Sequence, residues 1–121
     1  MDASLYTLVD LVLPPEVKTY FRLTSHKSDE ESLHLYLEEL NNIPEEYLGQ
    51  QLESKGFYEE STLQDFPIRG RNVFLHVKRR RWMNHSTGKV VQRNWKLVAK
   101  GTRITKDFAA FLKEVSRYTG S

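Results

Sequence analysis

Apolar and polar positions alternate with period two from Ser32 to Leu40, where Leu33, Leu35 and Leu37 interleave with Ser32, His34, Tyr36 and Glu38. Side chains of a strand point alternately to its two faces, so this pattern predicts a half-buried strand. A shorter strand over Phe21 to Thr24 and a polar turn at His26 to Glu30 complete an antiparallel hairpin. The same period recurs from Asn72 to Trp82, with Val73, Leu75 and Val77 on one face and Phe74 and His76 on the other. A strand over Ser61 to Phe66 precedes it, and Pro67-Ile68-Arg69-Gly70 supplies the turn between them. A return strand is expected over Val90 to Ala99, after a tight turn at His85-Ser86-Thr87-Gly88-Lys89.

Helical spacing is confined to the ends. Ser4 can cap a short helix carrying Leu5, Leu8, Val9 and Val12, which Pro14-Pro15 would stop because proline cannot continue a helix. Pro15 then suits the first turn of a second short helix with Val17, Tyr20 and Phe21 on its apolar side. At the other end Thr105 is a good N-cap, and Phe108, Phe111, Leu112 and Val115 form the stripe of a helix to Arg117. The segment from Glu45 to Gln51 reads as a loop or one helical turn, and Lys55-Gly56 as a break. The sum is an α+β fold: mainly antiparallel sheet, short N-terminal helices and one C-terminal helix. No linker composition or repeat divides residues 1–121, which read as a single domain.

Charge changes this picture more than composition does. Residues 1–65 hold 14 acids against Lys18, Arg22, Lys27 and Lys55, a net of −10, whereas residues 66–121 hold 14 bases against Asp107 and Glu114, a net of +12. The overall +2 conceals this segregation into an acidic and a basic half. Either the halves pair with each other in the fold or the basic half meets a polyanion. The basic residues cluster around the predicted hairpin: Lys78, Arg79, Arg80, Arg81, Lys89, Arg93, Lys96 and Lys100, with Arg103 beyond, and Trp82 and Trp95 among them. Cations neutralise phosphates, so a basic β-ribbon can ride a nucleic-acid backbone; five or six such contacts would give a log–log salt slope of about −4 to −5.

Catalytic patterns are absent. His26, His34, His76 and His85 lack metal-ligand spacing, there is no cysteine, and no GxxxxGK[ST], GxGxxG or GxSxG occurs. The pairs Glu38-Glu39, Glu45-Glu46 and Glu59-Glu60 read as solvated acidic surface. The chain is therefore expected not to be an enzyme and to need no metal or cofactor. The apolar segment from Leu5 to Leu13 is preceded by an acid rather than a base and has no small-residue cleavage site. This predicts a cytoplasmic protein without a membrane partner. The Asn84-His85-Ser86 glycosylation pattern is then a chance match.

The run STLQDFPIRGRNVFLHVKRRRW, the turn with Gly88 and then RITKDFAAFLKE resemble the N-terminal region of bacterial insertion-sequence transposases. In one large group of these a zinc ribbon precedes a helix-turn-helix and a DDE catalytic domain. Asp65-Phe66-Pro67 and Gly70, the strand of Val73, Leu75 and Val77, and Arg80-Arg81 match that pattern. Laying Gly88 on the knuckle glycine puts Asn84 and Thr87 where the cysteines would be. The resemblance thus implies a zinc-ribbon-like hairpin without metal, its turn held by side-chain-to-backbone hydrogen bonds, with Trp82 and Trp95 fixing it to the core.

It is nearer still, over most of the chain, to short proteins encoded as a separate reading frame ahead of the catalytic part. The implied function is a non-catalytic DNA-binding or end-recognition accessory module for transposition. Its partners would be the terminal repeats of the mobile element and the separately encoded DDE subunit. The alternative is a protein-interaction module that docks the catalytic subunit or a second copy of itself, anchored by Leu5, Leu8, Val12 and Phe21, without binding DNA.

Overall fold

The computed structural model describes Leu13 and residues 17–68, 70–95, 98, 110 and 113. A four-residue helix, α1 (Val17–Tyr20), leads into β1 (Phe21–Ser28) and β2 (Ser32–Glu39). A 3₁₀ turn at Glu45–Tyr47 follows, then β3 (Leu52–Phe57), β4 (Ser61–Ile68), β5 (Arg71–Lys78), β6 (Arg80–Asn84) and β7 (Lys89–Val91). The strands form two sheets, one in the order β1-β2-β5-β4 and one in the order β3-β6-β7. The α+β expectation is thereby corrected: the described residues are mostly β, with one short helix and one 3₁₀ turn. The helix expected from Ser4 lies outside the described residues, as does the one expected from Thr105 to Arg117 apart from Ala110 and Lys113.

Sheet pairing departs from the expected antiparallel arrangement at its centre. β1–β2 is an antiparallel hairpin whose turn is held by Asp29, its Oδ1 accepting from Glu31 N at 2.8 Å and Ser32 N at 2.7 Å. β4–β5 is also antiparallel, turning at Gly70 with φ of 78°, a conformation that glycine adopts without steric cost. The two hairpins, however, join through a parallel pairing of β2 with β5, Leu33 opposite Val73 and Leu37 opposite Val77. Leu33, Leu35, Leu37, Val73, Leu75, Val77 and Leu63 then share one buried face. Leu13, Val17, Phe21, Leu23 and Trp95 pack on it.

The expected single strand from Asn72 to Trp82 is in fact two strands in different sheets. Positions 73, 75 and 77 are buried and Arg79 continues that row, but from Arg80 onward the buried positions are Trp82 and Asn84. The inward phase slips by one at Arg79-Arg80, which lets the chain leave the first sheet and start the second. The return strand is also shorter than expected. β7 ends at Val91, and Trp95 and Val98 are helical, Val98 N reaching Asn94 O at 3.3 Å. What read as a break at Lys55-Gly56 is a bulge inside β3, with Gly56 at φ 80° and the register with β6 shifting between Ser54 and Phe57.

Candidate nucleic-acid interface

The basic hairpin is β6–β7, Trp82 opposite Val91 and Asn84 opposite Lys89. Its turn is built by Asn84, whose Oδ1 accepts from Ser86 N at 2.9 Å while its backbone oxygen accepts from Gly88 N at 2.7 Å. Thr87 Oγ1 accepts from Lys89 N at 3.4 Å, and Gly88 takes a φ of 76°. Asn84 and Thr87 thus hold the turn through side-chain-to-backbone hydrogen bonds, as expected for a hairpin with no cysteine. Asn84 is buried and its Nδ2 donates to Gln50 Oε1, so the glycosylation pattern has no accessible acceptor amide. His85 N and Gln51 N tie the turn to the segment before β3, through Gln51 O at 2.7 Å and Ser86 Oγ at 3.1 Å.

Beneath the hairpin lies a polar junction centred on Glu39. β2 alternates strictly, and Glu39 occupies the inward position that follows Leu33, Leu35 and Leu37, so its carboxylate is buried at 1% exposure. Burial pushes the Glu39 carboxyl above the usual range, outweighing the hydrogen bonds from Arg93 and from the Arg80 backbone that pull it down. Glu39 Oε2 accepts from Arg93 Nε at 2.8 Å, and Oε1 from Arg80 N at 3.0 Å. Arg93 also donates Nη2 to Asn42 O, and its guanidinium lies between 5.1 and 5.8 Å from the ring centres of Tyr20, Trp95 and Trp82. Arg80 donates Nε to Glu39 O and Nη1 to Ser54 Oγ, with its charge over Phe57 at 4.6 Å.

Both tryptophans are buried, Trp82 wholly so, its Nε1 donating to Asn41 Oδ1 at 2.9 Å. Trp95 stacks on Phe21 at 5.3 Å and meets Tyr20 edge-on at 5.5 Å. The indoles therefore fix the hairpin to the core. Phe21, named above as a docking anchor, belongs to this core and is 3% exposed.

The predicted binding residues thus fall into separate environments. Arg80 and Arg93 serve the junction. Arg79 and Arg81 flank the Tyr58 ring, at 5.1 and 5.6 Å from its centre. Lys89 is exposed at the turn and Lys78 is half-buried at the end of β5. Lys96, Lys100 and Arg103 lie outside the described residues. Charge segregation is largely retained around the hairpin, where Arg93 forms an ion pair with Glu39. Two further pairs, Arg22 with Glu38 and Lys55 with Glu53, stay within the acidic half.

Glu39 and Tyr58 were missed as partners of the arginines. The alternation of β2 does mark Glu39 as an inward carboxylate in need of a cation, whereas nothing near Tyr58 in sequence marks its neighbours.

A second group occupies the outer face of the four-stranded sheet. Tyr36, His76, His34 and Phe74 form a column of stacked rings at successive centroid spacings of 4.5, 5.0 and 5.1 Å. His34 Nδ1 and His76 Nε2 share a hydrogen bond of 2.7 Å, and His76 Nδ1 approaches Glu60 Oε2 at 3.3 Å. A shallow cleft of about 150 Å³ beside it is lined by Thr24, Tyr36, Glu38, Glu60, His76 and Lys78. Among the described residues no three histidine or carboxylate side chains are grouped to hold a metal ion, and no helix is long and apolar enough to cross a membrane. Searches of family models, curated proteins and solved structures return no significant match to the chain.

Proposed function

We propose that the chain is a non-catalytic DNA-binding or DNA-end-recognition accessory module of an insertion-sequence transposase, acting with a separately encoded catalytic subunit. The observation that carries the reading is the charge left over after folding. Glu39 gives its ion pair to Arg93, while Lys89 is exposed at the hydrogen-bonded β6–β7 turn and Arg81, eight residues earlier on β6, is half-buried. An uncompensated basic hairpin on a fixed sheet is suited to phosphate contacts along a duplex. The resemblance over Ser61 to Ala110 narrows the duplex to the ends of a mobile element.

A mobility-shift titration with terminal-repeat DNA and an unrelated duplex, repeated over a salt series, tests this. Binding that weakens steeply with salt and favours the terminal DNA is the expected result. Lys89→Ala should weaken both duplexes alike and lower the salt slope by about 1, since a lysine on phosphate reads no base. Absence of any shift at low salt, with capture of the catalytic subunit or self-association by light scattering, would replace this reading by a protein-docking one.

A further inference from the structure

The cations around Tyr58 are arranged unlike those at the junction. Arg80 and Arg93 each have partners rich in oxygen, including Glu39. Arg79 is 7% exposed, donates Nη1 to Gln92 Oε1 at 3.0 Å, and leaves its buried Nε without a hydrogen-bond partner. Arg81, half-buried, likewise has a buried Nε with no partner. No carboxylate among the described residues forms an ion pair with either. Glu39 acts on Arg79 only at longer range, its oxygens being bonded to Arg93 and the Arg80 backbone.

Two guanidiniums within 6 Å of one ring centre repel each other in partly desolvated surroundings, and a buried donor without a partner is costly. Burial holds the Arg79 guanidinium below its usual range, which is the mark of a charge that its surroundings do not fully compensate. The chain path explains the placement. Arg79 stands at the crossover between the sheets, its carbonyl fixed by Tyr58 N at 2.8 Å, and Arg81 follows two residues later on the face of β6 opposite to Trp82.

We propose that Arg79, Arg81 and Tyr58 form a seat for one phosphate-diester group of the bound nucleic acid. Arg81 supplies the contact from its exposed side. Arg79, fixed behind it by Gln92, adds attraction that water screens little. The seat rests on the nucleic-acid reading and gives it a fixed anchor, distinct from the exposed Lys89.

Inorganic phosphate serves as a probe independent of DNA. Phosphate titrated against chloride at constant ionic strength should raise the thermal midpoint of the wild-type chain by a few degrees, because a ligand bound only by the folded state stabilises it. The rise should be lost in Arg81→Gln, which keeps length and a hydrogen-bonding head but no charge. The same variant should lower the salt slope of DNA binding by about 1 and affinity by about tenfold. Arg81→Gln is preferred to Arg79→Gln because Arg79 also secures the crossover.

No phosphate response in the wild type together with an unchanged DNA slope in Arg81→Gln overturns the seat while leaving DNA binding in place. A phosphate response lost in Arg81→Gln, with no binding of DNA by the wild type, keeps the seat and removes the DNA reading. An equal rise with acetate would assign the seat to a carboxylate of a protein partner and overturn the phosphate assignment.

Discussion

The two sheets solve the burial problem in opposite ways. The interior of β1-β2-β5-β4 is leucine and valine in a continuous layer, whereas the junction beneath β6–β7 is a buried carboxylate, two arginines and two tryptophans. An apolar layer is stabilised by area removed from water and is indifferent to direction. The polar junction has partners at set distances, and a buried ion pair replaced by apolar groups of like volume is often no less stable. The junction is thus better suited to fixing where the hairpin sits than to adding stability. A module that presents cations on a hairpin needs that fixed geometry.

The largest effect should come from breaking the junction while leaving one partner behind. Glu39→Ala leaves the Arg93 cation buried without its anion and should cost about 3–5 kcal/mol in urea unfolding. A loss below about 1 kcal/mol would mean that Arg93 swings to water and that the junction does not fix the hairpin. In the apolar layer, Leu35→Ala removes a fully buried side chain and should cost about 2–4 kcal/mol through lost burial and a cavity. Unlike Glu39→Ala, it should leave the Arg93-dependent environment of Trp82 unchanged, as read by indole Nε1 chemical shift.

The smallest effect is in pH dependence, where the two regions have opposite signs. Asp29 Oδ1 accepts two backbone N–H bonds in the β1–β2 turn, which hold its carboxyl below the usual range. Its contribution is present above the unfolded value and is lost as pH falls through the depressed folded one. Glu39 is raised, so acidification through the interval between its ordinary and raised values adds stability by this group, an increment complete below the ordinary value. Comparing pH–stability profiles of Asp29→Ala and Glu39→Gln with the wild type separates them. Asp29→Ala should flatten the acid limb, and Glu39→Gln should remove the opposing increment above it. Identical profiles for both variants would erase the distinction between turn and junction.

Several features were legible because they are local. The alternation of Leu33, Leu35 and Leu37 placed β2, that of Val73, Leu75 and Val77 placed β5, and Asn84, Thr87 and Gly88 marked the turn that they build. Even the division of β5 from β6 is written in the chain, since the apolar phase ends at Val77 and resumes on the other parity at Trp82. Reading Asn72 to Trp82 as one strand overlooked that slip. The bulge at Gly56 has a local cause as well, a glycine at positive φ, although a bulge and a break look alike from sequence.

The sequence by itself determined the strands of the four-stranded sheet, their inward faces, the hairpin turns and the separation of charge, because backbone preference and side-chain parity act over a few residues. Only the tertiary structure decided that β2 pairs in parallel with β5, since that contact joins residues some 40 positions apart whose alternation would serve either direction. It also decided what each arginine does. Four arginines of similar sequence surroundings are divided by what the fold sets against them, Glu39 for Arg80 and Arg93, the Tyr58 ring for Arg79 and Arg81. A cation's role depends on its neighbours in space, and those neighbours come from strands that the local pattern does not connect.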